Sequence, residues 1–171
     1  MTNLTFNEYQ RRARETAVYE DPLYLPMALI GEVGELAEHI AKMHRGDYPE
    51  VDRDFCISEL GDALWATAMI ADELGISPRL DDNWFTEMYR PMSQFEHLDF
   101  EIEMVELARI AACCACQMVD SSINFINDML KRIITMAGYF DAGFTEIAQA
   151  NLHKLADRAE RGMLRGEGDE R

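Results

Sequence analysis

The segment between Phe55 and Ala71 constrains the fold of this chain more than any other. Only four of its residues are polar: Ser58, Glu59, Asp62 and Thr67. A helix that is apolar on nearly every side is buried on most sides. Its two carboxylates are therefore expected to be partly buried. Carboxylates away from water are costly unless they are paired or bind a metal ion.

The rest of the chain also has helical periodicity, and no alternating strand pattern persists in it. We predict helices over about 6–18, 27–44, 54–74, 98–119, 121–139 and 146–160. Thr5 with Glu8 forms a capping box, Gly75 is a typical C-terminal cap, and Thr145 is expected to cap the last helix. Prolines at 22 and 26 are expected to separate the first two helices. The prediction is one all-α helical bundle over 1–171, with a flexible tail over 163–171.

Charge excludes several classes of partner. The 171 residues include 16 basic and 32 acidic ones, which gives a net charge of −16. Such a chain is a poor binder of nucleic acid polymers and of anionic membrane surfaces. It shows no signal-peptide pattern and no apolar run long enough for a bilayer. Its cysteines predict no disulfide framework, so a reducing cytoplasm is the expected compartment. Three of its four cysteines crowd into 113–116, where buried small residues are expected in preference to a disulfide or a zinc site.

Two pairs of carboxylates carry the functional argument. Glu32 and Glu35 lie three apart on one predicted helix, and Glu59 and Asp62 have the same spacing on the next. If these helices pack antiparallel across the short 45–53 connection, the four side chains converge. Oxygen-only ligands suit Mg²⁺, with Mn²⁺ as a substitute. The Glu-x-x-His pairs of di-iron bundles and the His-Glu-x-x-His pattern of zinc proteases are both absent from the sequence.

Three strings carry a family resemblance: GEVGELAEHIAK (31–42), ELGDALWATAMIADELGI (59–76) and IAQANLHKLADRAERGMLRGEGDER (147–171). Together they resemble the MazG-type nucleoside triphosphate pyrophosphohydrolases, of the all-α superfamily that includes the dimeric dUTPases. The opening of the chain is similar to that of phage and bacterial members. The resemblance implies an all-α fold and Mg²⁺-dependent cleavage of an NTP or dNTP between its α and β phosphates. The products would be a nucleoside monophosphate and pyrophosphate, formed in the host cytoplasm if the protein is viral.

The resemblance also implies roles for single residues. Glu32, Glu35, Glu59 and Asp62 would bind Mg²⁺, with Glu35 or Glu59 as the general base. The substrate-binding residues that it implies are Lys42, Asn151, Lys154 and Arg158. Trp65 is a separate candidate, as an aromatic side chain for stacking on the base. Asn151, Lys154 and Arg158 lie at i, i+3 and i+7, so they share a helix face. The alternatives are ordinary salt bridges for the three basic residues and core packing for Trp65.

Residues 77–142 have no counterpart in the short family members. EMVELARIA (103–111) is similar to EVGELAEHIA (32–41), and INFINDML (123–130) is similar to ISELGDAL (57–64). The insert is thus either a degenerate copy of the metal-binding hairpin or a coincidence between Ala- and Leu-rich helices. Short relatives need a partner chain, so a homodimer or higher homo-oligomer is expected. Two other functions stay open: a silent helical binding or regulatory protein, and a hydrolase of a related pyrophosphate such as an alarmone or a phosphoribosyl nucleotide.

Overall fold

The structure, a computed structural model, describes residues 4–76, 78, 99–118 and 125–164. Six helices run through them: α1 (Phe6–Arg14), α2 (Tyr24–Arg45), α3 (Arg53–Glu73), α4 (Asp99–Cys116), α5 (Ile126–Gly138) and α6 (Phe144–Glu160). These residues contain no β-strand, so the all-α prediction is confirmed. Parts of the predicted insert and tail, at 77, 79–98, 119–124 and 165–171, lie outside the described residues.

Two of the predicted caps are confirmed. Thr5 caps α1, since its Oγ1 accepts a hydrogen bond from the Glu8 amide at 3.2 Å. Gly75 follows the end of α3 with a φ of 63°, in the left-handed region that glycine tolerates. Local sequence signals thus fix one end of each of these two helices.

Other helix ends differ from the prediction. Helix α1 ends at Arg14, four residues before the predicted end at 18. Helix α2 begins three residues earlier than predicted, with Pro26 in its first turn, where a missing N–H costs no helical hydrogen bond. Helix α6 begins at Phe144 after Gly143, so Thr145 lies inside the helix and does not cap it.

Helix α3 lies at the centre of the packing. It contacts α1, α2, α5 and α6, and both α2 and α5 contact α4. Its residues are buried on nearly every side, including the whole run from Ala66 to Ala71, as its apolar composition predicts. The hairpins α2–α3 and α4–α5 therefore pack on each other, while α1 and α6 cover other sides of α3. None of the six helices in the described part of the chain is both long and apolar enough to cross a membrane.

The insert contributes helices α4 and α5 to this bundle. Arg132 on α5 lies beside two acidic residues of α4, with Nη1 at 2.5 Å from Glu103 Oε2 and Nη2 at 3.8 Å from Glu106 Oε2. Glu103 and Glu106 stand where the sequence comparison places Glu32 and Glu35. In this hairpin, an internal guanidinium faces the two glutamates. Whether the insert is a duplicated hairpin stays a prediction, as does the single-domain boundary.

Candidate metal centre and adjoining cleft

The turn between α2 and α3 fixes how the two helices face each other. Gly46 caps the end of α2, with a φ of 94° that lies in the left-handed region. Asp52 then caps α3 by accepting a hydrogen bond from the Phe55 amide at 3.1 Å. His39 of α2 stacks on Phe55 at 4.5 Å, and its Nε2 accepts a hydrogen bond from the Asp52 amide. These contacts return the chain along α2 and bring acidic positions of both helices together.

Three carboxylates meet between α2 and α3. Glu32, Glu59 and Asp62 each offer one oxygen, and these oxygens lie within 4.8 Å of one another. Glu59 is 1% exposed, while Glu32 and Asp62 are half-buried. Like charges this close repel one another, and burial adds to the cost of each charge. Hard oxygen ligands of this kind suit Mg²⁺ or Mn²⁺, so the donor set fits the predicted cation.

Helix α6 contributes polar partners of Asp62. Lys154 Nζ lies 2.5 Å from Asp62 Oδ2 and also donates to Ser58 Oγ at 3.0 Å. Asn151 Nδ2 donates to the other carboxylate oxygen, Oδ1, at 2.8 Å. Asn151 is itself buried and accepts a hydrogen bond from the Tyr9 hydroxyl of α1 at 2.8 Å. Both oxygens of Asp62 thus interact with side chains of α6, which lies outside the α2–α3 hairpin.

Glu35 and Lys42 lie apart from this cluster. Glu35 is exposed on α2 and is not one of the three carboxylates that approach one another. Lys42 pairs with Glu38 at 2.9 Å, one turn earlier on the same helix. That hydrogen bond raises the pKa of the Lys42 ammonium. The predicted roles of Glu35 as ligand or base, and of Lys42 as phosphate contact, stay predictions.

A cleft of about 460 Å³ opens beside the carboxylates. Its walls include two members of the cluster, three aromatic side chains and one cation: Glu32, Asp62, Tyr19, Tyr24, Trp65 and Arg158. The Tyr19 and Tyr24 rings stack at 6.0 Å, and the Trp65 ring meets Tyr19 edge-on at 6.3 Å. The cleft therefore joins an aromatic wall to the acidic cluster, with Arg158 also on its surface.

Two of the predicted substrate residues lie in this cleft. Trp65 is half-buried, and its indole Nε1 has no hydrogen-bond partner among the described residues. Trp65 therefore packs against the core and also presents part of its ring to the cleft. Arg158 is half-buried, and its Nε makes a long hydrogen bond of 3.4 Å to the Met163 carbonyl. Contacts of either residue with a nucleotide stay predictions.

Tyr19 and Tyr24 are not among the residues predicted from the sequence. Their segment, VYEDPLYLP, indicates by itself only a break between helices. The signal in it that could have identified part of a binding surface is the presence of aromatic residues beside prolines. Tyr19 is fixed by its hydroxyl, which donates to Glu73 Oε1 at 2.6 Å and accepts from Arg14. Burial, aided by the bond to Glu73, raises the pKa of Tyr19 to about 12. The aromatic wall is therefore anchored to both α1 and α3.

The cysteines take no part in the acidic cluster. All four are free thiols, and Cys56 and Cys114 are buried. Burial raises the pKa of each of these two thiols to about 12. A thiol with so high a pKa is a poor nucleophile and a poor metal ligand at neutral pH. The expectation of small packing residues fits Cys56 and Cys114.

Comparison with known proteins agrees with this geometry. Residues 21–77 match the model of the MazG nucleotide pyrophosphohydrolase domain. The gene 37 protein of Mycobacterium phage L5 is 35% identical over 80 residues, which cover 40% of this chain and 70% of that protein. The chain belongs to the MazG-like family. No solved structure is significantly similar to it.

The MazG match covers α2, which begins at Tyr24, and α3. It therefore contains all three converging carboxylates and also Glu35. Three predicted substrate residues of α6 lie outside the matched residues, as does Tyr9 of α1. In this MazG-like chain, the hairpin provides the converging carboxylates, and the flanking helices provide their hydrogen-bond and charge partners.

Proposed function

We propose that this protein is a Mg²⁺-dependent nucleotide pyrophosphohydrolase. It would cleave an NTP or dNTP between the α and β phosphates and release a nucleoside monophosphate and pyrophosphate. One observation carries the proposal: Glu32, Glu59 and Asp62 converge within 4.8 Å inside the segment that matches the MazG nucleotide pyrophosphohydrolase domain. Lys154 pairs with Asp62, but three carboxylates this close, one of them buried, still repel one another, and a bound cation would offset that repulsion.

Glu32, Glu59 and Asp62 would hold the cation, with Mn²⁺ able to replace Mg²⁺. When bound, the cation neutralises phosphate oxygens and lowers the pKa of water in the site. Glu35 would either bind the cation as a fourth ligand or accept a proton from the attacking water, from the exposed side of α2. The acidic net charge is compatible with a polyanionic substrate, since the nucleotide arrives with its own Mg²⁺.

The residues of α6 and the cleft would place the substrate. Lys154 and Arg158 carry positive charge beside the carboxylates, where they would meet the phosphates, and Lys42 would reach them from α2. The base would lie against the aromatic wall of Trp65, Tyr19 and Tyr24, since aromatic faces stack on nucleobases without selecting one strongly. This arrangement would put the anhydride next to the acidic cluster.

The reaction itself needs an acceptor for one proton. A water oxygen attacks the α phosphorus, the bond from that phosphorus to the bridging oxygen breaks, and pyrophosphate leaves with the bonding electrons. Glu35 or Glu59 would accept the proton of the water. Glu59 is buried among the other acids, whereas Glu35 is open to solvent. Replacing each with Gln and comparing kcat with metal affinity would distinguish the base from a ligand.

The biological setting completes the proposal. We place the enzyme in nucleotide-pool control in the cytoplasm, or in the host cytoplasm for a phage protein. A homodimer or higher homo-oligomer is proposed, with no nucleic acid polymer and no membrane as partner. The net charge of −16 supports the last two points, since it disfavours anionic surfaces.

The direct test is a panel of NTPs and dNTPs with Mg²⁺ or Mn²⁺, with pyrophosphate and orthophosphate measured separately. We expect pyrophosphate from the wild type and a loss of about 100-fold or more in Glu59→Gln and Asp62→Asn. Both variants should stay folded by circular dichroism, since each removes one of three crowded charges.

Glu15→Gln is the matched control, because Glu15 is an exposed acid that pairs with Arg11 on α1. It should keep full activity. Unchanged activity in both site variants would exclude the metal assignment. No turnover despite Mn²⁺ binding would favour a silent binding protein, and turnover of only a non-triphosphate would favour the related pyrophosphates.

A further inference from the structure

A buried chain of hydrogen bonds leads from α1 to the metal centre. The Tyr9 hydroxyl donates to Asn151 Oδ1 at 2.8 Å, and Asn151 Nδ2 donates to Asp62 Oδ1 at 2.8 Å. Tyr9 is fully buried and Asn151 is 2% exposed. Tyr9 and Asn151 are 142 residues apart in sequence. The metal centre thus depends on contacts that neither the α2–α3 hairpin nor α6 makes by itself.

The chemistry of the three groups fixes the direction of these bonds. An ionised carboxylate accepts hydrogen bonds and cannot donate them, so the amide nitrogen of Asn151 must face Asp62. The amide oxygen then faces Tyr9, whose hydroxyl must donate. Burial raises the pKa of Tyr9 well above its ordinary value, and the nearby negative charge of Asp62 raises it further. The hydroxyl therefore keeps its proton and stays a donor.

We propose that Tyr9 is a positioning residue of the metal centre, which acts through Asn151 to orient the Oδ1 oxygen of Asp62. This inference rests on the proposed function. Groups that hydrogen-bond to metal ligands orient them and tune their affinity. Without the Tyr9 hydroxyl, the Asn151 amide oxygen loses its hydrogen bond, and among the described residues only the contact with Asp62 still orients the amide. Asn151 in turn acts on Asp62, and its predicted contact with the nucleotide stays a prediction.

The packing around Tyr9 allows its hydroxyl to be removed while its ring contacts are kept. Its ring meets Phe6 at 6.5 Å and Phe144 at 6.1 Å, so Tyr9→Phe removes the hydroxyl and keeps both ring contacts. The measurement is Mn²⁺ binding to the nucleotide-free protein, followed by electron paramagnetic resonance of the free ion. We expect the Kd to rise about 10-fold. A Kd equal to that of the wild type would overturn the proposal.

A double-mutant cycle separates positioning from general packing. In an Asn151→Ala background the link to Asp62 is already lost, so Tyr9→Phe should leave the Mn²⁺ Kd unchanged. The effect on Tm should also reverse sign. Tyr9→Phe lowers Tm in the wild type but raises it in the Asn151→Ala background, where the buried hydroxyl has lost its acceptor. Equal 10-fold effects on Kd in both backgrounds would contradict the proposal.

The control is Tyr139→Phe, because Tyr139 is also buried and keeps its ring contact with Phe100 at 5.2 Å. It should change the Mn²⁺ Kd less than about two-fold. If Tyr9→Phe does not fold, Asn151→Ala provides the test, and an unchanged Kd in that variant overturns the proposal. A wild type that binds no Mn²⁺ would overturn the metal centre itself. Wild-type binding with no effect of Tyr9→Phe would overturn only the role of Tyr9.

Discussion

Among single side chains, the three carboxylates show how position determines chemistry. Residues three apart on a helix point about 60° apart, so only one of such a pair can face a given neighbour squarely. Glu32 faces α3, and Glu35 is rotated towards solvent. Glu59 and Asp62 have the same spacing, yet Glu59 is buried and Asp62 half-buried, because other helices surround α3. The surroundings of a helix thus decide what a sequence motif can do.

Glu73 gives a pH-dependent test of the anchor behind the aromatic wall. The hydrogen bond from Tyr19 and the guanidinium of Arg14 lower the pKa of Glu73 below its ordinary value of 4.5. A lowered pKa in the folded state contributes stability that is present above pH 4.5 and is lost as the pH falls through the folded-state pKa. We expect Glu73→Gln to be less stable than the wild type at about pH 7.

The measurement is urea unfolding of both proteins between about pH 7 and pH 3. The difference in the free energy of unfolding should be largest at neutral pH and shrink below about pH 4.5. A difference that is constant across this range would mean that the Glu73 charge contributes nothing to the anchor.

Helix packing determines how close α6 comes to the acidic cluster. A Cβ at Gly61 would lie 3.0 Å from Asn151 Cβ and 3.3 Å from the Ile147 carbonyl oxygen. These distances are shorter than most real Cβ contacts, so a side chain at this position would require α3 or α6 to shift by a few tenths of an ångström. The same contact places Asn151 and Lys154 within hydrogen-bond distance of Asp62. Gly61 therefore belongs to the architecture of the site although it has no functional group.

We expect Gly61→Ala to lower Tm and to weaken Mn²⁺ binding, because the added methyl group forces α3 and α6 apart. This occurs although alanine is favoured over glycine in a helix by about 1 kcal/mol. Thermal unfolding and the Mn²⁺ Kd are the measurements. Gly34→Ala is the matched control, since no described atom lies within 4 Å of its new Cβ. The control should gain about 0.5–1 kcal/mol, and a gain in both variants would refute the close-contact argument.

Both hairpins bring acidic side chains close together, and a different basic residue lies beside the acids in each. In α4–α5, the Arg132 guanidinium lies beside Glu103 and Glu106. In α2–α3, Lys154 reaches one acid of the cluster from α6. In the insert, the cation of Arg132 thus lies beside Glu103 and Glu106, the residues at the positions of Glu32 and Glu35. Whether the insert is a copied hairpin stays a prediction.

For the protein as a unit, the proposed cation should also act as a stabiliser. A ligand that binds only the folded state at about 100 times its Kd adds about 2.7 kcal/mol to the free energy of unfolding. For a chain of this size, that corresponds to a rise in Tm of about 5–10 °C. We expect this rise on adding Mg²⁺ to chelator-treated wild-type protein. Glu59→Gln should show no rise, and an equal rise in both proteins would indicate non-specific binding to the acidic surface.

Whether a feature of this protein can be predicted from its sequence depends on how far apart along the chain the contributing residues lie. Helical periodicity, caps and the apolar character of 55–71 are local, so they predict the six helices and the burial of carboxylates on α3. The family resemblance identifies the MazG-like hairpin. The roles of Tyr9, Tyr19 and Gly61 depend on contacts between residues far apart in sequence. The packing of α2 on α3 decides which acids converge, and the packing of α1 and α6 on α3 decides what holds Asp62. A single sequence does not specify which distant helices meet.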